Sequence, residues 1–358
     1  MSLEEVNMSS RYYPLLKSTV SELRALKLLD EDDLVRTTPI FELTKSRKSK
    51  NNPGCDVYKK VDEILEIVGD LEFILDITNE ESLTNDQIES FFDDSNAFYN
   101  WTDFVRRIRT EKKANVVPMV LAYDDSEKDT LMLQARRLLK YCSRVCIRIP
   151  VELVGDEIVE TLIEVAAELE DVLIIVDLGY VRDDTNLGVK MQDGAELLRD
   201  VLAIDDSLET VMLASSFPAS VVSVVPNKEK MSSSFKMYTY QIYQYLLKTD
   251  PDLQYGDYAC IHPYRGEARP MIWIPRIDYP YDSKVLFERC RREDGGYEVC
   301  ASNIVADPNY SKNRIDCWGC NEIDDAANGI LNGKSPSYWI SVRSNIHMTR
   351  MVRGETIT

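Results

Sequence analysis

Along the first three quarters of the chain, short runs of consecutive apolar residues alternate with longer stretches of spaced apolar positions. The runs are YYPLLK (12–17), PIFELT (39–44), EFILDIT (72–78), VVPMVLAYD (116–124), RVCIRIP (144–150), DVLIIVDLG (171–179), TVMLASS (210–216) and DYACIHP (257–263). Near-continuous hydrophobicity of this kind predicts strands buried on both faces, as in parallel sheets. The stretches between them predict amphipathic helices. In DVYKKVDEILEIVG, Val57, Val61, Ile64, Leu65 and Val68 share one face, and Gly69 ends the run. STVSELRALKLL opens with Ser18 or Thr19 as a cap, with Glu22 placed for a capping box. The tyrosines of KMYTYQIYQYLLK follow helical spacing and read as core.

Eight strand–helix repeats over residues 11–265 predict an α/β fold, a (β/α)8 TIM-like barrel. A doubly wound open sheet is the alternative, but no GxGxxG follows the first strand and no P-loop is present, so the barrel is preferred. Two departures stand out. NEESLTNDQIESFFDDSNAFYNW, an insert at 79–101, falls where barrel enzymes carry lids, and it places Phe92 and Trp101 on the expected rim. Residues 266–358 predict a C-terminal extension: a β-hairpin of strands near 271–277 and 283–289, then helices, packing on the barrel or closing over it.

Charge narrows the function classes. With 42 basic and 61 acidic residues the chain carries −19, which argues against general nucleic-acid binding and favours a basic partner or solubility. No apolar run reaches the roughly 20 residues that span a bilayer, so no membrane association is expected. The opening MSLEEVNMSSRYYPLL lacks the pattern of a signal peptide, and a cytoplasmic protein is expected. The eight cysteines are then expected as reduced thiols. Cys317 and Cys320 form one CWGC motif, but a structural zinc requires two further ligands and no second pair exists. The reading is two cysteines packed beside Trp318.

Barrel chemistry belongs at the C-terminal ends of the strands. The polar residues expected there are Lys17, Glu42, Asp76, Tyr123 with Asp124, Arg148, Asp177, Ser215 with Ser216, and His262. Such groups are costly to bury unpaired, so their recurrence at strand ends points to a site. Glu42, Asp76 and Asp177 offer the oxygens magnesium prefers, or one of them is a general base tuned by Lys17. Arg148 and Arg265 suit a phosphate or carboxylate, and His262 suits proton transfer near neutral pH. Glu42, Asp76, Asp177 and His262 are therefore the catalytic candidates. The same groups could also form ion pairs that merely satisfy one another. Ser215 and Ser216 are weaker nucleophile candidates, since LASSFP is not a GxSxG elbow.

Several stretches in order, RYYPLLKSTVSELRAL, TTPIFEL, IIVDLG, LASSFPAS, YGDYACIHP and SPSYWISVRSNIHMTRMVR, resemble the phage-type "beta family" of bacteria and their phages. The resemblance runs from about residue 11 to 353. It implies attention to Lys17, Glu42, Asp76, Arg148, Asp177, Ser216 and His262. It adds Gly256, Asp257, Tyr258, Trp339, Asn345 and His347. Lys17, Arg148, Ser216, Arg265, Trp339, Asn345 and His347 are accordingly the ligand-binding candidates. The family's Asn-His-His ending reads Asn345-Ile346-His347 here, so a metal site using both histidines is not expected. The family carries over no established reaction, and its setting implies phage defence or counter-defence. Two expectations follow. One is an enzyme that binds and hydrolyses a small anionic or nucleotide-like ligand at the barrel mouth. The other is a non-catalytic sensor that captures a ligand or a protein partner.

Overall fold

The computed structural model describes residues 11–224, 231–264 and 273–354. From the start, β1 (Tyr12–Lys17), α1 (Val20–Lys27), α2 (Glu31–Val35), β2 (Ile40–Leu43), α3 (Val57–Val68) and β3 (Phe73–Ile77) follow one another. Next come α4 (Asp86–Phe91), α5 (Ser95–Glu111), β4 (Val116–Pro118), α6 (Lys128–Leu139), β5 (Val145–Pro150) and α7 (Glu157–Ala167). β6 (Val172–Tyr180), α8 (Asp184–Ile204), β7 (Glu209–Ser215), β8 (Ser232–Lys236), α9 (Thr239–Leu246) and β9 (Gln254–Asp257) continue the chain. Last are β10 (Arg276–Tyr281), β11 (Lys284–Arg289), α10 (Gly296–Ala306), α11 (Pro308–Asn313), α12 (Trp318–Ala327) and α13 (Pro336–Arg353).

Eight strands form one parallel sheet in the order β4-β3-β2-β1-β9-β7-β6-β5. A parallel bridge between Met119 and Cys146 joins its two ends, with Val120 N donating to Cys146 O at 2.8 Å. The sheet thus curls into a ring with helices outside, a (β/α)8 TIM-like barrel. Its strands are apolar because both faces are covered: Val172–Leu178 of β6 are all buried, as are all six residues of β1. Inside the ring the packing leaves little space. A Cβ on Gly256 would lie 2.7 Å from both Leu213 Cδ2 and the Tyr13 carbonyl oxygen. Gly256→Ala should therefore cost about 1–3 kcal/mol by overpacking, read as a lower urea midpoint with an unchanged slope.

The eighth barrel strand differs from expectation. It ends at Asp257 instead of running through 257–263, because Ala259 (φ 47°) and Cys260 (φ 60°) adopt left-handed backbone that no strand tolerates. YACIHP is apolar because it is buried in a turn, and hydrophobicity alone does not separate the two cases. The C-terminal hairpin also starts later, at Arg276, and turns at Asp282 (φ 45°), so Tyr279-Pro280-Tyr281 lies within a strand. A further strand escaped the pattern: β8, Ser232–Lys236, is too polar to read as one, yet it pairs antiparallel with β11 to make a three-stranded sheet. Trp101 does not stand on the rim. It is fully buried, with Nε1 donating to Met119 O at 2.9 Å, and it anchors α5 against the barrel wall.

The last helix completes the barrel. α13 packs along α1 and touches β1, the position an eighth barrel helix fills. Asn345 Nδ2 caps the end of α1 by donating to Ala25 O (3.1 Å) and Leu28 O (2.9 Å). Arg353 reaches Asp30 and Asp33 around α2. Along its length α13 also gives Trp339, Val342 and Ile346 to a second core with Tyr279, Ile304 and Cys320. The hairpin and α10–α12 are thus inserted between the eighth strand and the eighth helix. Cys317 and Cys320 are both buried there, with Cys317 Sγ accepting from Cys320 N at 3.4 Å at the start of α12.

Candidate functional site

Lys17, Glu42 and Asp76 stand directly beside one another in the register of β1, β2 and β3, so their side chains form one row at the top of the barrel interior. Arg148 from β5 reaches across to meet them. Its Nη1 donates to Glu42 Oε1 and Asp76 Oδ2, both at 3.0 Å. Its Nε and Nη2 donate to Asp177 Oδ2 at 2.9 and 2.7 Å, and Nη2 also to Tyr258 OH at 2.9 Å. Those contacts occupy all the N–H donors a guanidinium owns. Tyr258 OH in turn donates to Asp177 at 2.7 Å. Lys17 Nζ pairs with Glu42 and, at 3.0 Å, with Glu80 Oε1. Backbone N–H groups hold the remaining oxygens: Ile77 N donates to Asp76 Oδ1 (2.8 Å) and Gly179 N to Asp177 Oδ1 (2.9 Å).

This environment separates two neighbouring carboxyls. Burial pushes Glu42 up, but Arg148 and Lys17 together outweigh it and hold its carboxyl below the usual carboxylate range. Burial also pushes Asp76 up, Arg148 opposes, and the adjacent Glu42 charge tips the balance, so Asp76 sits above its usual range. Arg148 loses hydration on burial, yet Tyr258, Asp177, Glu42 and Asp76 hold it charged. Burial and Asp177 keep the Tyr258 phenol protonated.

The other candidates lie elsewhere. His262 is half-buried in the loop beyond β9, where its Nδ1 lies 2.8 Å from Tyr264 O and its ring lies 4.5 Å from that of Tyr180. Ser216 is buried and accepts from Tyr238 N at 2.9 Å, fixing the approach to α9. Trp339 stacks on Tyr297 with ring centres 5.2 Å apart in the second core, away from the mouth. Asn345, besides capping α1, accepts from Gly319 N at 2.9 Å. Arg265 lies outside the described residues. The three carboxylates proposed for magnesium share Arg148 at their centre, so a cation there would displace a cation. Among the described residues no group of three or more His, Cys, Asp or Glu side chains is placed to hold a metal ion.

His347 sits behind the wall. Its Nε2 meets Asp257 Oδ2 at 2.5 Å, and Asp257 also accepts from Tyr12 OH (2.6 Å), Tyr255 OH (2.8 Å) and Ala259 N (2.8 Å). With α13 on one side and Thr239 of α9 bonded to Tyr255 on the other, this cluster faces the helices and not the mouth. Burial disfavours charge on His347, but Asp257 prevails and raises it well above the usual histidine range. A raised folded-state value contributes stability in full below the unfolded value near 6.5, lost as pH climbs through the folded one. His347→Gln should therefore cost about 2–3 kcal/mol at pH 6 and flatten the decline of stability above pH ~7 in urea titrations.

Tyr258 and Glu80 complete the network without having been candidates on chemistry. Tyr258 looked like interior of an apolar strand, although the resemblance had singled it out. The signal for Glu80 was its position three residues past the third strand.

A cluster of buried charged side chains, most of them bonded to one central arginine, at the C-terminal ends of eight parallel strands defines a TIM-like barrel protein with a polar network at the usual functional face. Comparison with known proteins names the family. The Beta protein family model matches residues 12–353, and the chain belongs to that family. Protein beta of Enterobacteria phage P4 is 26% identical over 346 residues, covering 95% of this chain and 92% of that protein. Within the described residues no helix is long and apolar enough to cross a membrane.

Proposed function

We propose that the barrel mouth binds a small anionic, nucleotide-like ligand and hydrolyses it by acid–base chemistry, in the setting of phage defence or counter-defence. The observation that carries this reading is the pair Glu42 and Asp76. They are neighbours in register, both bonded to Arg148, and burial with the adjacent Glu42 charge raises the Asp76 carboxyl while Arg148 and Lys17 lower Glu42. Carboxyls whose environments push them apart in this way are the usual division into proton donor and ionised partner. In this reaction water attacks the ligand and passes its proton to ionised Glu42, while Asp76 donates a proton to the departing oxygen. Arg148 acts by positioning the two carboxyls and not by bonding the ligand. Kinship with a phage protein supports the biological setting.

One observation favours the non-catalytic alternative. Arg148 has no donor left for a ligand, and a network this complete can serve purely as structure. The two readings part in a turnover assay. The protein is incubated with a panel of nucleotides and sugar phosphates and followed by phosphorus NMR. Consumption of one compound by wild type supports hydrolysis. A panel left intact by protein that binds one of its members overturns hydrolysis in favour of capture.

A further inference from the structure

Arg148 is saturated, and the groups at the mouth centre are Lys17 and Arg148 against Glu42, Asp76, Asp177 and Glu80. Acids outnumber cations there, so an anion placed at the centre meets repulsion. A cleft of about 940 Å³ opens immediately beside this row, lined among others by Ser18, Thr44, Lys45, Ser46, Arg47 and Lys48. It is formed by the loops that follow β1, β2 and β3. Ser18 is the residue after Lys17, Thr44 lies two after Glu42, and Leu83 lies three after Glu80. Its size falls within the roughly 300–1,000 Å³ of small-ligand sites.

The cleft is basic in a strongly acidic protein. Lys17 and Lys60 take Glu42, Glu80 and Glu63 as partners, whereas Lys45, Arg47 and Lys48 form no ion pair among the described residues. Asp56 also lines the cleft, but its carboxylate is turned onto the start of α3, accepting from Tyr58 N at 3.1 Å. Asp86 adds one opposing charge.

The loop is pinned rather than free. Asn52 Nδ2 donates to Ser46 Oγ (2.6 Å) and Arg47 O (3.2 Å), Asn52 Oδ1 accepts from Asp56 N (2.9 Å), and Lys45 N donates to Leu83 O (2.8 Å). Ser46 is buried and uses its oxygen as acceptor, which leaves its proton for a ligand oxygen.

We propose that this cleft is the phosphate subsite of the mouth: Lys45, Arg47 and Lys48, with the Ser46 hydroxyl, hold the di- or triphosphate group of a small ligand. The location rests on reading the mouth as a ligand site. The charge class rests on the cleft itself. Three cations within four residues match a compact, multiply charged anion better than a single carboxylate, which one arginine satisfies. A nucleic-acid strand needs a basic track continuing along the surface, and a chain of net charge −19 does not favour one.

The test is a thermal-shift titration with inorganic pyrophosphate at fixed ionic strength. It uses wild type, K45Q/R47Q/K48Q, and K112Q/K140Q/K248Q, whose three lysines lie at or just beyond the C-terminal ends of α5, α6 and α9, on the opposite face of the barrel. Wild type and the opposite-face variant should rise in Tm together with the logarithm of concentration, and the cleft variant should need about tenfold more pyrophosphate for the same rise. No rise in wild type, an equal rise in the cleft variant, or equal weakening in both triple variants overturns the proposal. So does a rise only with a single-stranded oligonucleotide, which would indicate nucleic acid. Asp76→Asn separates the two readings, since it should keep the pyrophosphate response. If pyrophosphate binds as described but wild type hydrolyses nothing, hydrolysis fails and the phosphate subsite stands.

Discussion

Replacing Arg148 with methionine should destabilise the protein by about 3–5 kcal/mol at neutral pH, the cost of leaving buried carboxylates without their cation. Methionine keeps much of the aliphatic stem, so lost packing contributes little. What disappears is the charge that Glu42, Asp76 and Asp177 share, and the hydrogen bond to Tyr258. The sign with pH follows. Without Arg148, Glu42 and Asp76 resist ionisation in the folded state, so their folded-state values rise above the unfolded ones near 4. The penalty is absent below that pH and grows as pH rises through the raised values. Urea unfolding followed by tryptophan fluorescence should show a wide gap between wild type and variant at pH 7 and a narrow one at pH 4. Equal stability at pH 7 would mean that water already carries most of the charge at the mouth.

Asp76→Asn should lower turnover by about 100- to 10,000-fold, the range supplied by a positioned proton donor. Asparagine fills the same space and accepts from Arg148, but it has no proton to give. Wild-type activity should fall as pH rises through the raised Asp76 value, and the residual activity of the variant should lose that limb. Stability moves the other way. A carboxyl raised in the folded state contributes fully below its unfolded value and costs stability as pH passes the folded one. The variant escapes that cost and should unfold no more readily than wild type at pH 7. Lost activity with retained stability separates a proton donor from a structural group. Unchanged kcat in the variant would remove Asp76 from the mechanism.

Much of this architecture is legible in one sequence. The first seven strands each lie within an apolar run because a barrel wall is buried on both faces, and that hydrophobicity is a local property. The fourth run extends well past its strand, Val116–Pro118. Lys17, Glu42, Asp76, Arg148 and Asp177 are visible because charge at the end of such a run has no place in the wall and marks the mouth. Their candidacy required only residue order.

What needed the tertiary structure is everything set by partners distant in the chain. Arg148 and Glu42 are 106 residues apart, and only the closed ring reveals that one guanidinium is shared by three carboxylates and Tyr258. Hydrophobicity carried the eighth strand too far, because a buried turn at Ala259 and Cys260 is as apolar as a strand. The end of that strand then determined that Tyr258 faces the mouth, while His262 lies out in the loop. β8 was invisible because its serines pair with β11 by backbone alone. His347 meets Asp257 across 90 residues because α13 returns to fill the eighth helical position. Periodicity reports which face of an element is apolar; it cannot report which distant element covers that face.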